Sequence, residues 1–180
     1  MSRSIKLNSA ITPAKAKEII SQLDALEKSS EEEEIILLIN SPGGDLTASF
    51  ELFKRVKNAR APILGVVEKE ADSMAVFILQ ACRRRVANKE AVFILHSIRL
   101  TISDNIIGWV DDRGELTDTA IDELRNIGRK CFDHQVRMEQ IFAARCCLSL
   151  NQVWDLLRQD EKKIDAKTAL ELGLIDSILP

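Results

Sequence analysis

The chain has 180 residues, 46% of them apolar, and its 25 basic and 28 acidic side chains leave a net charge of −3. This length predicts one domain over residues 1–180 with a full hydrophobic core, and the weak negative charge argues against nucleic acid or an anionic membrane as partner. No apolar run approaches the roughly 18 residues of a membrane span, and Met1 to Asn8 lack a signal-peptide core, so a cytoplasmic protein is expected.

In chain order, Ile5 to Leu7 allow a short edge strand. Thr12 reads as a helix N-cap with Pro13 at the first helical position, and Ala16, Ile19, Ile20, Leu23 and Leu26 recur at helical spacing to about residue 28. The acidic run Glu31 to Glu34 reads as a solvated loop. Ile35 to Ile39 is a continuous apolar run, the mark of a buried parallel strand, and Asn40-Ser41-Pro42-Gly43-Gly44 ends it. Asp45 is placed to cap a helix carrying Leu46, Phe50, Phe53 and Val56 on one face. Pro62 to Val67 is the next strand, a helix is expected from about Asp72 to Cys82, and Arg83-Arg84-Arg85 reads as a solvated turn. A short strand at Val86-Ala87 and a firmer one over Ala91 to Leu95 follow, the latter delivering His96. Alternating strands and helices with short connections predict an α/β fold with a parallel-sheet core.

Residues 98 to 116, with Gly108, Trp109, Gly114 and several aspartates, read as a loop or hairpin. From Thr117 to Arg145 a long helical pattern runs, and at 1.5 Å per residue its length of about 40 Å suggests that part of it projects and packs on another subunit. His134 sits on its polar face. Ser149 caps a further helix, Asp165 caps Ala166 to Leu172, Gly173 closes that helix, and Leu174 to Leu179 read as a last strand. The four cysteines, Cys82, Cys131, Cys146 and Cys147, form no C-x-x-C pair and are accompanied by two histidines only. They read as free thiols, and no metal or other cofactor is expected.

Three pieces carry chemistry. Serine-based acyl transfer needs a nucleophile, a base, a carboxylate to orient the base, and N–H donors for the oxyanion. Ser73, where a strand gives way to a helix, fits the nucleophile, and His96 fits the base. The N–H of Met74 and one from the Gly43-Gly44 turn fit the oxyanion hole, glycine permitting close backbone approach.

Ile39-Asn40-Ser41-Pro42-Gly43-Gly44, Ala71-x-Ser73-Met74-Ala75, Ile94-Leu95-His96 and Ala169-Leu170-Glu171-Leu172-Gly173-Leu174-Ile175-Asp176 together resemble the Clp protease proteolytic subunit family, in order and spacing over nearly the whole chain. The resemblance implies a crotonase-like α/β fold, a parallel-sheet core with a projecting long-helix handle. It implies stacked heptameric rings enclosing a chamber of serine endopeptidase sites that act on peptides or unfolded protein, usually fed by an AAA+ unfoldase. It places Ser73 at the nucleophile, His96 at the base, and Gly43 and Met74 at the oxyanion donors. The family's third member is an aspartate about fifteen residues before Asp176; that position holds Glu161, with Asp160 beside it as the alternative carboxylate.

The chain departs from the family pattern at Lys69 and Asp72, where small neutral residues are usual, and at Ser97-Ile98-Arg99, where the family has a glycine-rich substrate strand. Asp72 has two readings: a helix cap that points away, or a charge beside the nucleophile. These departures motivate a second reading of the chain, a catalytically impaired scaffold or assembly partner with the same fold. A crotonase acting on acyl-CoA is a third, weakened by the Ser/His pair. The chain holds no tyrosine, which often lines unfoldase-docking pockets in the family, so any unfoldase partnership is expected to be atypical.

Overall fold

The computed structural model describes residues 3–99, 113, 115–158 and 161–180. The elements run β1 (Ser4–Leu7), α1 (Pro13–Ser29), β2 (Ile35–Ser41), α2 (Leu46–Lys57), β3 (Ile63–Asp72), α3 (Met74–Leu79), β4 (Arg84–Ala87), β5 (Val92–Leu95), α4 (Asp118–Arg145), α5 (Leu150–Leu157), β6 (Lys162–Asp165), α6 (Ala166–Glu171) and β7 (Ser177–Ile178). The hairpin or loop expected over residues 98 to 116, with Gly108, Trp109 and Gly114, falls largely outside the described residues.

Strands β1-β2-β3-β4-β7 lie side by side in that order, all parallel, and β5 pairs with the far end of β3. The expected α/β architecture with a parallel core therefore forms. Caps act where the sequence placed them: Thr12 Oγ1 accepts from the Lys15 N–H at 3.1 Å, Asp45 Oδ1 from Ala48 at 2.8 Å and Asp165 Oδ1 from Thr168 at 2.8 Å. Ser149 and Gln152 close a full capping box around α5.

Close packing of α3 on β3 sets the position of the strand-to-helix junction. At Gly65 in β3, a Cβ would stand 2.6 Å from Leu79 Cδ1 and 2.8 Å from Cys82 Sγ. The space is already filled, so glycine is what lets the helix seat. All six residues of α3 are buried, and Phe77 stacks on Phe53 of α2 with ring centroids 4.3 Å apart. Each such side chain removed from water contributes about 2–3 kcal/mol.

Four expectations are corrected. The second core strand does not stop at Val67: β3 continues to Asp72, carrying Glu68, Lys69 and Glu70 on an edge that β5 covers only from Glu70 onward. The helix expected from Asp72 accordingly starts at Met74, and its regular part ends at Leu79. The strand Lys162–Asp165 was unforeseen; it pairs antiparallel with β5 and ends the sheet on that side. The last strand shrinks to Ser177–Ile178, and Gly173 and Asp176 ahead of it are engaged in a clasp.

That clasp involves Arg85, which is not in a solvated turn but only 5% exposed within β4. Its guanidinium donates to Gln80 Oε1 at 2.6 Å and to the Gly173 carbonyl at 2.9 Å, and it pairs with the Asp176 carboxylate. The backbones of Arg85 and Asp176 bond as well, Asp176 N–H to Arg85 O and Arg85 N–H to Asp176 Oδ2, each at 2.7 Å. Burial pushes the Asp176 carboxyl up, but the Arg85 bonds outweigh it and the net shift is down. The Leu-Gly-Leu-Ile-Asp sequence is thus a structural latch between β4 and β7.

The acidic loop keeps one ionic partner for each strand end it passes: Glu31 pairs with Arg60 and Glu34 with Arg84. The long helix α4 carries no fully buried residue from Ile121 to Arg137; Ala120 is buried at its start, and Met138 and Phe142 seat it in the core near its end. It is the projecting handle, with Phe132 68% exposed on it. His134, expected on the polar face, instead sets its ring edge against Phe50, with centroids 4.5 Å apart. No helix among the described residues is long and apolar enough to cross a membrane.

Candidate active site

Ser73 sits between β3 and α3 with φ 53 and ψ −119. A non-glycine residue there is strained by roughly 1–3 kcal/mol and persists only when its surroundings fix it. They do: the Ser73 N–H donates to Ile94 O at 2.9 Å, and its carbonyl accepts from Val76 at 3.1 Å. The turn is the sharp strand-to-helix kind that lifts a side chain out of the sheet and leaves the next N–H free. Among the described residues, the Ser73 hydroxyl caps nothing and the Met74 N–H meets no acceptor.

Gly43 is brought against this serine. A Cβ on it would lie 2.7 Å from Asp72 O, 2.9 Å from Ser73 Cβ and 3.0 Å from the Met74 nitrogen, and its φ of 81 suits glycine in any case. The Gly-Gly turn and the serine therefore belong to one place. Ser41 completes the turn, and sequence reading missed its part. Only 1% exposed, it donates its hydroxyl to Ser9 O at 2.7 Å and accepts the Gly43 N–H at 3.2 Å.

His96 follows β5 directly and shares a cleft with Ser73, closed on its apolar side by Met138, Phe142 and Leu157. The cleft measures about 20 Å³, room for a single water and no more, since a water needs roughly 10–15 Å³. The His96 Nδ1 lies 2.7 Å from the carbonyl of Ser97. Assigned as the donor, Nδ1 leaves Nε2 as the basic nitrogen, and Nε2 meets no partner among the described residues. The Ser97-Ile98-Arg99 segment is held by the handle, through the Ile98 N–H to Gln135 Oε1 at 2.8 Å.

The carboxylates divide. Glu161, at φ 44 just before β6, pairs with Arg99 at 2.9 Å and makes no hydrogen bond to His96. Arg99 was not foreseen as its partner, and only its place three residues after His96 could have suggested it. Asp160 lies outside the described residues. Asp72 is the last residue of β3 and caps nothing; Ser73 holds the N-cap position, and Asp72 Oδ1 is buried with no hydrogen-bond partner among the described residues. Of its two sequence readings, the cap is therefore the one the structure rejects. Burial drives the Asp72 carboxyl up; His96 pulls it down, Glu70 and Glu161 push it up, Arg99 pulls it down, and the net shift is upward.

What this arrangement offers is a strained serine, a free N–H beside it, a glycine turn in contact with both and an imidazole in the same cleft. A protein-family model described as Clp protease matches residues 1–180, the whole chain.

Proposed function

The chain belongs to the Clp protease family, and from that membership we propose that it is a serine endopeptidase cleaving peptides or unfolded protein with Ser73 as nucleophile and His96 as base. The observation that supports this most is the contact of Gly43 with Ser73 and the Met74 nitrogen, in a cleft that His96 also lines.

In the proposed reaction Ser73 Oγ attacks the peptide carbonyl carbon while His96 Nε2 takes its proton. Negative charge develops on the carbonyl oxygen, toward the Met74 and Gly43 N–H groups. The Gly43 N–H is held by a neutral hydroxyl at 3.2 Å, and a charged acceptor makes a bond roughly twice as strong, so the oxyanion displaces Ser41 from it. The imidazolium then protonates the leaving amine, and water repeats the sequence to free the acid. The Ser97 carbonyl holds the imidazole in its working tautomer. Glu161, at the family's third position, acts through Arg99: it neutralises a cation that would otherwise repel the imidazolium.

The cleft is too small to enclose a peptide, so substrate is proposed to lie across its mouth. We further propose homo-oligomeric stacked rings that meet through the handle, on the exposure of α4 from Ile121 to Arg137. Any AAA+ unfoldase partner is proposed to dock atypically. A native mass of the particle tests the first, and stoichiometric recovery of an AAA+ ATPase with the protein would overturn the second.

The second reading, an impaired scaffold, is favoured by the absence of any hydrogen bond joining Ser73, His96 and a carboxylate among the described residues. A fluorophosphonate probe separates the two. The peptidase reading expects the full-length protein to label covalently, and labelling to vanish in Ser73→Ala. An assembled protein that neither labels nor cleaves unfolded casein would establish the scaffold instead.

A further inference from the structure

We propose that Asp72 supplies the negative charge that stabilises His96 in its protonated form, a positioning role on the residue directly before the nucleophile. This rests on the reading of Ser73 and His96 as the reacting pair and deepens it.

Sheet geometry brings the two side chains to one face. Asp72 pairs with Ile94 across β3 and β5, and His96 is two residues beyond Ile94, one past the end of β5, with Asp72, Ile94 and His96 all half-buried. Ideal strand spacings of about 4.8 Å across and about 3.3 Å along would set the two Cα atoms about 8 Å apart, a span that an aspartate and a histidine can bridge from opposite ends. The opposite face of these strands is sealed, with Ala71, Phe93 and Leu95 all buried, so Asp72 has nowhere else to turn.

The second observation is independent. Asp72 Oδ1 is buried and accepts no hydrogen bond among the described residues. A buried carboxylate oxygen without a donor is costly, and such an orphan in a native fold calls for an explanation, a catalytic role among them. The charged and titratable groups facing Asp72 are His96 and Arg99 from the segment after β5, Glu70 from its own strand and Glu161 ahead of β6. Arg99 is already engaged by Glu161. Glu70 and Glu161 are of like charge. His96 is what remains, and it becomes a cation when it takes the Ser73 proton. Both side chains are half-buried, so the opposite charges that face each other in the transition state are only partly screened by water. The stabilisation is thus concentrated in the step that needs it.

The role explains why a carboxylate is tolerated beside an oxyanion hole. Both charges of the transition state, the imidazolium and the oxyanion, are held: the oxyanion by N–H groups of Met74 and Gly43, the imidazolium by Asp72.

Two measurements on the full chain in its native assembly test the proposal. The first is the rate of fluorophosphonate labelling from pH 5 to 9 for wild type, Asp72→Asn, Glu161→Gln and Ser73→Ala. Asp72→Asn is expected to label about tenfold more slowly at its plateau, with the limb that reports the base moved about one pH unit toward acid. Glu161→Gln, which bares Arg99, is expected to move the same limb toward acid by a smaller amount than Asp72→Asn does, because the pair it breaks is exposed. A limb that moves with Glu161→Gln and stays put in Asp72→Asn overturns the assignment and leaves the site reading standing. Ser73→Ala labelling as fast as wild type overturns the site reading itself.

The second measurement reads His96 without activity: NMR titration of carbon-13-labelled histidine, with His96→Gln used to assign the two rings. Loss of the Asp72 charge is expected to make the His96 ring hold its proton about tenfold less tightly. An unchanged titration in Asp72→Asn overturns the proposal even where wild type does not label.

Discussion

Glu27 and Asp72 both lose water on folding, and they behave in opposite ways. Glu27, near the end of α1, is 3% exposed. Burial alone would push its carboxyl up, but the Ala61 N–H, the Arg55 guanidinium and the Arg60 N–H all donate to it, and the net shift is down. Its contacts are close: Arg60 N–H at 2.6 Å, Ala61 N–H at 3.1 Å, Arg55 Nη2 at 2.6 Å. Asp72 is less deeply placed, has an oxygen with no donor, and its carboxyl is pushed up. Depth does not separate them; the supply of donors does. A carboxylate with every oxygen satisfied ties α1, α2 and the entry to β3 together, whereas one left short of donors is available to chemistry.

The sharpest way to test that division is to remove the nucleophile. Ser73→Ala is expected to lower peptide hydrolysis by at least about 10³-fold. Its thermal midpoint should stay near wild type, because the lost hydroxyl has no hydrogen-bond partner among the described residues. A large loss of stability would show that this end of the sheet is structural too.

Glu27→Ala probes the other carboxylate. It leaves two backbone N–H groups without their acceptor and Arg55 with Asp24 alone, and about 3 kcal/mol of stability should go, read by urea unfolding. Specific activity of the fraction still folded should be unchanged. Gly43→Ala comes next. Its Cβ would press on Asp72 O and Ser73 Cβ, so the serine moves, and a displacement of about 1 Å is expected to cost about 10²-fold in hydrolysis.

The pH dependence of stability should carry opposite signs for the two groups. The lowered Glu27 carboxyl stabilises the fold above its unfolded value near 4.5, and that contribution is lost as pH falls through the folded value. The raised Asp72 carboxyl favours the fold while protonated, below its unfolded value near 3.8, and works against it as pH climbs through the folded value. Asp72→Asn should therefore raise the melting temperature at pH 7 and erase the gap toward pH 4, whereas removing Glu27 should flatten the acid limb. The smallest effect is expected for Glu161→Gln, whose exposed pair with Arg99 contributes roughly 0–1 kcal/mol to unfolding.

Much of this was legible in the sequence where a local rule decides. Thr12, Asp45, Ser149 and Asp165 cap because a side-chain oxygen immediately before a helix has an obvious donor in the free N–H three residues on. Gly43, Ser73 and His96 could be picked out because strand ends, a glycine pair and a strand-to-helix junction leave marks in composition. What escaped depends on contacts distant along the chain. Arg85 looked like one of three solvated arginines, and only Asp176, Gln80 and the Gly173 carbonyl make its burial affordable. Strand β6 has a lysine pair and a single buried isoleucine, too little periodicity to announce itself, and exists because β5 offers it an edge. The end of β3 was misjudged because the apolar run stops at Val67, whereas pairing with β5 from Glu70 onward carries the strand on to Asp72.

The latch between Arg85 and Asp176 has a consequence for how the protein is made. Its two halves are 91 positions apart. A ribosome adding about 5–20 residues per second therefore leaves roughly 5–20 s between them. During that interval the outer edge of β4 has no neighbour, and a guanidinium destined for the interior has no counter-ion. The nascent chain should be a chaperone client in that window, and pausing translation there should raise aggregation, while a pause after Leu179 should not.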